Sequence, residues 1–290
     1  MSKPLNAQLF IVDPQNDFMG QNDGSPLTLD IMGGTQLKAT LPVKGAVSDM
    51  RRTGQLVRRI GRRLSDIHVT LDSHRPIDVA HPALWRDADG RPPAPYTLIR
   101  SDDIRNGIWV PRNPGLTKRM ITYTQALEAG GQYLLIIWPE HCIIGTWGHN
   151  VYHELMGALL DWERAEFANV NYVVKGTNPF TEHYGGLLAE VPDANDPSTQ
   201  LNTAIIKALQ DADIVGIAGE ASSHCVLTTV EQIVDNIGDQ HLPKLVLLTD
   251  CMSPVPQAPG TPDFPAIADA FLKKMERRGL RLMKSVDFLA

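Results

Sequence analysis

One cysteine stands where a parallel α/β sheet would place a nucleophile. A short apolar run at 214–218 leads through small residues to Cys225, and residues 226–237 have helical spacing. A thiol in the first turn of a helix is close to the positive end of the helix dipole and to unpaired backbone N–H groups, which lower its pKa and can bind an oxyanion. Taken alone, the segment is equally typical of a packed structural cysteine.

A second set of residues has the composition of a metal site. Asp72 and His74 are two apart on an extended segment, so their side chains point to the same side, and His81 and His141 add two imidazoles. One carboxylate and three imidazoles suit zinc, iron or manganese. Each histidine alone is more often an ordinary residue, but the set predicts one divalent transition metal, with zinc preferred over iron or manganese. The histidines interpreted as bystanders include His149, His153, His183 and His224.

Asp13 and Lys175 are candidates for acid–base chemistry, because each follows a short apolar run. A carboxylate beside a thiol can take its proton and pass it to a leaving amine, and a nearby ammonium stabilises both anions. The alternatives are a turn-forming aspartate before Pro14 and a lysine that only ends a strand. Neither residue is specific by itself.

The elements that position these residues are predicted from hydrophobic spacing. Residues 47–64, 203–210, 226–237 and 264–278 have helical periodicity. Their alternation with short apolar runs indicates an α/β fold, a doubly wound, mainly parallel six-stranded sheet with helices on both faces. In such sheets the active site forms outside the carboxyl ends of the strands, where all the candidate residues fall. The six predicted strands are 8–12, 67–71, 133–137, 172–174, 214–218 and 244–248.

The length of 290 residues favours one domain spanning 1–290. Residues 82–115 are rich in Pro, Asp, Arg and Asn and do not fit the alternation. They predict a long insertion, either a loop or a small subdomain, near the active site.

Charge and composition exclude several classes of partner. A net charge of −6 gives no support for binding to nucleic acid or to an anionic membrane, and no apolar run is long enough to span a bilayer. Three cysteines, odd in number and far apart, do not form a disulfide framework, which favours a reducing, cytoplasmic setting. We therefore expect a small-molecule substrate and, because closed oligomers are common, a homo-oligomer.

Five segments, in order along the chain, look like the successive motifs of the nicotinamidase branch of the isochorismatase-like cysteine hydrolases. The segments are 10–18, 72–74, 138–142, 174–177 and 221–226. The chain is longer than a compact nicotinamidase, chiefly through 82–115 and its C-terminal stretch.

The resemblance implies a role for each matching residue. It implies the isochorismatase-like hydrolase fold, with a catalytic triad and a cis peptide bond between residues 220 and 221. The residues so implied are the triad Asp13, Lys175 and Cys225, the oxyanion-hole N–H groups of Ala221 and Cys225, the substrate-sandwiching Phe18 and Trp138, and the metal ligands Asp72, His74 and His141, with His81 as the fourth by position.

The implied function is that of a metal-containing cysteine amidohydrolase. It would hydrolyse nicotinamide or a related aromatic or heterocyclic carboxamide to the acid and ammonia through a thioester on Cys225. One alternative is a hydrolase of a larger amide or a carbamoyl compound, since the insertion could alter the pocket. The other is a non-catalytic binding member of the fold, which the complete triad disfavours.

Overall fold

The computed structural model describes residues 5–130 and 133–290. In chain order the strands are β1 (Ala7–Val12), β2 (Thr28–Ile31), β3 (Thr35–Lys38), β4 (Leu64–Asp72), β5 (Trp85–Arg86), β6 (Leu98–Ile99), β7 (Val110–Pro111), β8 (Leu135–Ile136), β9 (Asn171–Lys175), β10 (Ile214–Gly219), β11 (Leu245–Leu248) and β12 (Arg281–Met283). The α-helices are α1 (Ala46–Ile60), α2 (Ser101–Arg105), α3 (Thr117–Gly130), α4 (His153–Glu166), α5 (Thr203–Asp211), α6 (Cys225–Ile237) and α7 (Phe264–Arg277).

The centre of the fold is a six-stranded parallel sheet in the order β12-β11-β10-β1-β4-β9. β1 is buried along its whole length, as expected for a strand covered on both faces. The predicted fold class, a parallel six-stranded sheet with helices, is confirmed.

One predicted strand was assigned to the wrong sheet. Within the run 133–137, β8 pairs antiparallel with β6 in a separate two-stranded sheet, and β12 takes the sixth place in the central sheet. The run is apolar because Leu135 and Ile137 pack in a second hydrophobic cluster, and burial there gives the same sequence pattern as a central strand. β12 has only three residues, one of them the exposed Arg281, so it carries little strand signal.

The strand order reverses direction between β1 and β10. The chain moves from β1 through α1 to β4 on one side, and from β10 through α6 to β11 on the other. Right-handed crossovers therefore place α1 and α6 on opposite faces and leave a crevice at the carboxyl ends of β1 and β10. This switch point is where the predicted functional residues are brought together.

Residues 82–115 contribute to the second hydrophobic cluster. Trp85, Ile99 and Ile104 pack there with side chains of α3, including Met120 and Tyr123. The segment contains β5, β6, β7 and α2 and so has secondary structure and buried side chains of its own. Across residues 5–130 and 133–290, none of the helices has the length and apolar character needed to cross a membrane.

Candidate active site

Three strands of the central sheet end at one place and bring the predicted triad together. Asp13 directly follows β1, Lys175 ends β9, and β10 leads through residues 219–224 to Cys225 at the start of α6. The Nζ atom of Lys175 is 3.0 Å from Asp13 Oδ2 and 3.8 Å from Cys225 Sγ. All three residues are buried. The triad predicted from distant motifs is therefore one contact cluster.

Lys175 also contacts the metal-ligand candidate Asp72. The two residues are register partners across β4 and β9, and Nζ lies 3.0 Å from Asp72 Oδ1. Nζ further donates to the backbone carbonyl of His183 at 2.8 Å. Asp13, Asp72 and Cys225 have side-chain atoms within 4.8 Å of one another, and the ammonium group contacts all three. Lys175 thus offsets part of the negative charge of this acidic cluster.

Proton affinities in the triad favour a protonated thiol beside an available base. Burial raises the pKa of Cys225 well above its usual value, although Lys175 opposes the shift. Burial also raises the pKa of Asp13, again against the effect of Lys175. Burial alone would lower the pKa of Lys175, but the carboxylates of Asp13 and Asp72 hold it well above the usual range. The lysine is therefore a fixed cation, and proton exchange falls to Asp13 and Cys225.

Backbone and side-chain contacts fix Asp13. Its backbone N–H donates to Thr70 Oγ1 at 2.9 Å, and the same hydroxyl donates to Asp13 Oδ1 at 2.5 Å. Asp13 has a φ of +43°, a left-handed conformation that aspartate and asparagine adopt more readily than most residues. One carboxylate oxygen is thus held by β4, and the other faces Lys175.

Cys225 is the first residue of α6, and no side chain caps that end of the helix. The first N–H groups of a helix have no intrahelical acceptor, so the Cys225 N–H is available to an oxyanion. The predicted cis peptide bond between Glu220 and Ala221 is confirmed. Ala221 lines the same cavity as Cys225, which places both predicted oxyanion donors at its wall.

Beside the triad, three buried imidazoles form a second cluster. The residues are His74, His81 and His141. Each contributes one ring nitrogen to a group of three that lie within 4.8 Å of one another. The carboxylate of Asp72 adjoins them, with Oδ2 3.1 Å from His74 Nε2 and 3.6 Å from His141 Nε2. The predicted four-residue metal set is therefore assembled from β4 and two loops.

Hydrogen-bond partners show which ring nitrogen of each histidine is available to a metal. Oxygens lie near each Nδ1: Asp78 Oδ2 at 3.0 Å from His74, the Arg75 carbonyl at 3.1 Å from His81, and the Pro139 carbonyl at 2.8 Å from His141. Oxygens of this kind accept, so each Nδ1 carries a proton, and Nε2 presents a lone pair whenever the ring is neutral. His81 Nε2 lies 3.2 Å from His141 Nδ1. Of the three Nε2 atoms, it therefore points least directly to the centre of the cluster.

The electrostatics of this cluster favour a cation. Burial alone would lower the pKa of His74, but Asp72 and Asp78 raise it well above the usual value. Burial, with His141 and His74 nearby, lowers the pKa of His81 to about 2, so that ring is neutral. A neutral imidazole is the form that binds a metal. Among the described residues, buried His74 Nε2 has no hydrogen bond of good geometry, and its polar neighbour is Asp72 Oδ2 at 3.1 Å, so both atoms face the centre of the cluster.

A cavity adjoins both clusters. Cys225, Asp72 and His141 line its floor, and Phe18 and Trp138, the predicted sandwich pair, line its walls. Among the described residues that line it, none comes from 82–115, although Tyr96 packs edge-on against Trp138 with ring centroids 5.8 Å apart. The cavity therefore brings the thiol, the imidazole cluster and two aromatic side chains together.

Several site residues were not found from the sequence. His224, interpreted there as a bystander, lines the cavity, and its ring stacks on Tyr133 with centroids 5.2 Å apart. Glu182 and Tyr184 also line the cavity from the segment after β9. Burial raises the pKa of Glu182 to about 8. The only local signal for His224 was its position next to Cys225.

Gln15 does not line the cavity, but its side chain holds the backbone of Asp72. Its side chain donates to the Asp72 carbonyl at 2.7 Å and accepts from the Asp72 N–H at 2.7 Å. This pair of hydrogen bonds continues the β1–β4 pairing past the end of β1. Gln15 therefore fixes the backbone of a residue that contacts both clusters.

Comparison with known proteins gives matches by structure. No protein-family model matches the chain, and a search of curated proteins finds no match. Among solved structures, the yeast nicotinamidase matches with a TM-score of 0.59 at 19% identity, covering 96% of this chain and 99% of its own. A nicotinamidase/pyrazinamidase of Acinetobacter baumanii matches with a TM-score of 0.58 at 17% identity, covering 99% and 100%.

A third structure is the pyrazinamidase of Pyrococcus horikoshii in complex with zinc. It has a TM-score of 0.52 and 17% identity, and covers 96% of this chain and 99% of its own. At sequence identities this low, the structural matches establish the fold alone. The chain has the fold of the nicotinamidases and pyrazinamidases.

Proposed function

We propose that the protein is a nicotinamidase-like cysteine amidohydrolase of the isochorismatase-like family, which converts an aromatic or heterocyclic carboxamide to the acid and ammonia. The observation that carries the proposal is the contact cluster of Asp13, Lys175 and Cys225, in which Cys225 lines a cavity. A thiol, a base and a fixed cation in contact are the components of covalent amide hydrolysis. The likeness of fold to nicotinamidases supports this choice of reaction.

The first half of the reaction forms a thioester. Asp13 takes the proton of Cys225, while Lys175 stabilises the thiolate. The sulfur attacks the amide carbonyl, and the N–H groups of Ala221 and Cys225 bind the resulting oxyanion. As the carbon–nitrogen bond breaks, Asp13 gives its proton to the leaving nitrogen, which departs as ammonia.

The second half releases the acid. Asp13, now unprotonated, takes a proton from a water molecule that attacks the thioester carbonyl. The same oxyanion donors serve this tetrahedral intermediate. The carbon–sulfur bond breaks, the acid leaves, and the proton held by Asp13 returns to the sulfur of Cys225. Atoms balance as amide plus water giving acid plus ammonia.

We further propose that Asp72, His74 and His141, with His81 as the fourth residue, hold one divalent transition metal. The donor set fits zinc, with iron and manganese as alternatives, and the zinc complex of a pyrazinamidase of the same fold supports the choice. When bound, such a metal would act as a Lewis acid toward a water molecule or a ring nitrogen. The chain itself orients the three histidine ligands through Asp78 and the backbone carbonyls of Arg75 and Pro139.

The cavity supports a small aromatic amide as the substrate. Phe18 and Trp138 offer ring faces and edges to a planar ring, and Leu41, Val43 and Val255 complete an apolar wall. Nicotinamide and pyrazinamide fit this description. The enzyme is proposed to be a cytoplasmic homo-oligomer, because its thiol nucleophile must remain reduced and closed assemblies are common among enzymes.

The proposal is tested by assaying ammonia and acid released from a panel of carboxamides by the metal-loaded protein. Nicotinamide, pyrazinamide, benzamide and a larger ring carboxamide form the panel, with Asp13→Asn protein as the blank. We expect stoichiometric ammonia and acid from at least one ring carboxamide. Failure of the whole panel, with metal bound and the protein folded, would reject an aromatic amidase.

A further inference from the structure

Residues 221–225, which carry the two predicted oxyanion donors, are called the oxyanion loop. Two buried carboxyl groups lie beside this loop and have no part in the reaction above. Glu220, which immediately precedes Ala221, is 0% exposed, and Asp49 of α1 is 2% exposed. Ser253 contacts both side chains, and buried Glu220 Oε1 has no other hydrogen-bond partner among the described residues. The neighbouring Asp49 is also a cause of the raised pKa of Glu220, as expected for two carboxyl groups within reach of each other. Two buried carboxyl groups in contact hold one proton between them, because two adjacent negative charges repel. The pair therefore consists of one acid and one carboxylate.

The surrounding charges show which group keeps the proton. Arg52 donates through Nη2 to Asp49 Oδ1, so the carboxylate is balanced by one guanidinium. Burial raises the pKa of Glu220 well above its usual value, and the adjacent Asp49 raises it further. Cys251, whose thiol contacts Asp250 Oδ1 at 3.9 Å, is the other titratable group near Asp49, and burial raises its pKa to about 12, so it stays neutral. Glu220 is the protonated member, and Asp49, Arg52 and Cys251 are the titratable groups around it.

The pair is connected to the loop that carries the oxyanion donor. The Ser253 N–H donates to Glu220 Oε2 at 3.2 Å, and Ser253 Oγ donates to Asp49 Oδ2 at 2.6 Å. The Ser253 carbonyl accepts from the Ser222 N–H at 2.9 Å. The Glu220 N–H donates to the Val12 carbonyl at 2.8 Å. Ala221 is thus flanked by two anchored residues, and the carboxyl pair is the centre of the anchorage.

We infer that Glu220 is a positioning residue, which holds the Ala221 N–H in its oxyanion-binding position through the proton it shares with Asp49. The inference rests on the proposed function, because it assigns Glu220 a part in the same reaction. It adds a requirement beyond the three triad residues, namely a proton on the carboxyl pair. The oxyanion loop is ordered only while the carboxyl pair retains its proton.

The first test compares Glu220→Gln with Glu220→Met, two unbranched side chains of similar length. Glutamine can donate to Asp49 and accept from the Ser253 N–H, as the protonated glutamate does, whereas methionine can do neither. At pH 7 we expect kcat of the Gln variant to stay within about threefold of the parent. The Met variant should lose about 10- to 100-fold in kcat with little change in KM, as for a displaced oxyanion donor.

Alkylation of Cys225 by iodoacetamide separates this role from an effect on the nucleophile. Its rate should be similar in the parent and both variants, since the contacts of Cys225 with Asp13 and Lys175 are unaltered. Equal kcat in the Met variant and the parent would overturn the inference. Equal loss in the Met and Gln variants would also overturn it, because hydrogen bonding would then not be the property that matters.

The second test uses pH and remains decisive if the Met variant does not fold. As pH rises, the parent loses the shared proton and the two carboxylates repel, so its kcat should fall at alkaline pH. The Gln variant should keep its activity to higher pH, while titration of Cys225 and Cys251 affects both proteins alike. Superimposable profiles of parent and Gln variant would contradict the proton-sharing pair.

Thermal unfolding distinguishes failure of this inference from failure of the proposed function. The folded parent holds a proton that the unfolded chain releases above its ordinary glutamate pKa, so stability falls as pH rises towards the folded pKa. Between pH 7 and pH 9.5 the Tm of the parent should therefore fall more than that of the Gln variant. An equal fall rejects the pair even if the parent hydrolyses no amide.

Discussion

At the scale of residues, the proposed chemistry depends on one cation that lies between acidic groups. Lys175 contacts Asp13, Asp72 and Cys225, so the triad and the proposed metal site share a single electrostatic centre. Such a cation keeps a buried carboxylate and a thiolate compatible with folding. The sequence predicted that these residues lie at one edge of the sheet, because each ends or follows a strand or starts a helix. It could not predict the contact between Lys175 and Asp72, which arises from pairing of β4 with β9.

Asp13→Asn tests the proposed base. Asparagine tolerates the positive φ at this position and can still accept from Thr70, so the fold should persist. It cannot take the proton of Cys225, and we expect kcat to fall by about 100- to 10,000-fold. Steady-state kinetics and a thermal melt measure the two effects. Activity within threefold of the parent would remove Asp13 from the mechanism.

Metal content tests the imidazole cluster. His74→Ala and His141→Ala should each lose most of the bound transition metal, because each removes one inner nitrogen. His153→Ala is the matched control, since this histidine is exposed at the start of α4. Elemental analysis after dialysis against a weak chelator gives the answer. Full metal content in both cluster variants would disprove the site.

His81→Ala separates a four-residue site from a three-residue one. If His81 is a ligand, its variant should lose metal affinity by an amount similar to the other histidine variants. Titration with zinc and a competing chelator measures that affinity. An affinity equal to the parent's would leave Asp72, His74 and His141 as the protein ligands.

At the scale of elements, the strand ends set the site and the loops shape the cavity. Periodicity predicted β1, β4, β9, β10 and β11 because buried parallel strands are continuous apolar runs. It placed 133–137 in the central sheet, whereas β8 in that run pairs with β6, and Leu135 and Ile137 pack in the second cluster. Leu41, Val43, Tyr184 and Val255 reach the cavity from loops. Loops have no period, so their approach to the cavity could be found only from the structure.

Gln15 is predicted to be the residue that joins β1 to β4 beyond their regular pairing. Gln15→Leu would leave the N–H and carbonyl of Asp72 buried without this partner, at a cost of about 2–5 kcal/mol in the free energy of unfolding. Urea denaturation measures this loss, with Gln36→Leu, on the exposed β3, as control. Equal stability of the two variants would show that the Gln15 hydrogen bonds are unimportant.

At the scale of the whole molecule, the site is a concentration of buried titratable groups inside an otherwise apolar core. Burial raises the pKa of Glu182 to about 8 and that of Glu190 to about 7. A carboxyl group with a raised pKa in the folded state binds a proton that the unfolded chain has released. Its contribution to stability is therefore present at low pH and is lost as pH rises through the folded pKa.

Glu182→Gln tests this dependence. Between pH 5 and pH 8 the free energy of unfolding of the parent should fall, relative to the variant, by up to about 1.4 kcal/mol per pH unit. Denaturant titrations at pH 5, 6.5 and 8 give the difference directly. A constant difference across the range would mean that Glu182 is ionised throughout.

The central claim is that Cys225 is the nucleophile, and ammonia release by two cysteine variants tests it most directly. Cys225→Ala removes the thiol beside Lys175, whereas Cys251→Ala removes another buried, free thiol from the same core. We expect the Cys225 variant to remain folded and lose at least about 1000-fold in kcat, as covalent catalysis requires. The Cys251 variant should retain activity within about tenfold of the parent. Ammonia release by folded Cys225→Ala protein at the parent rate would show that Cys225 is not the nucleophile.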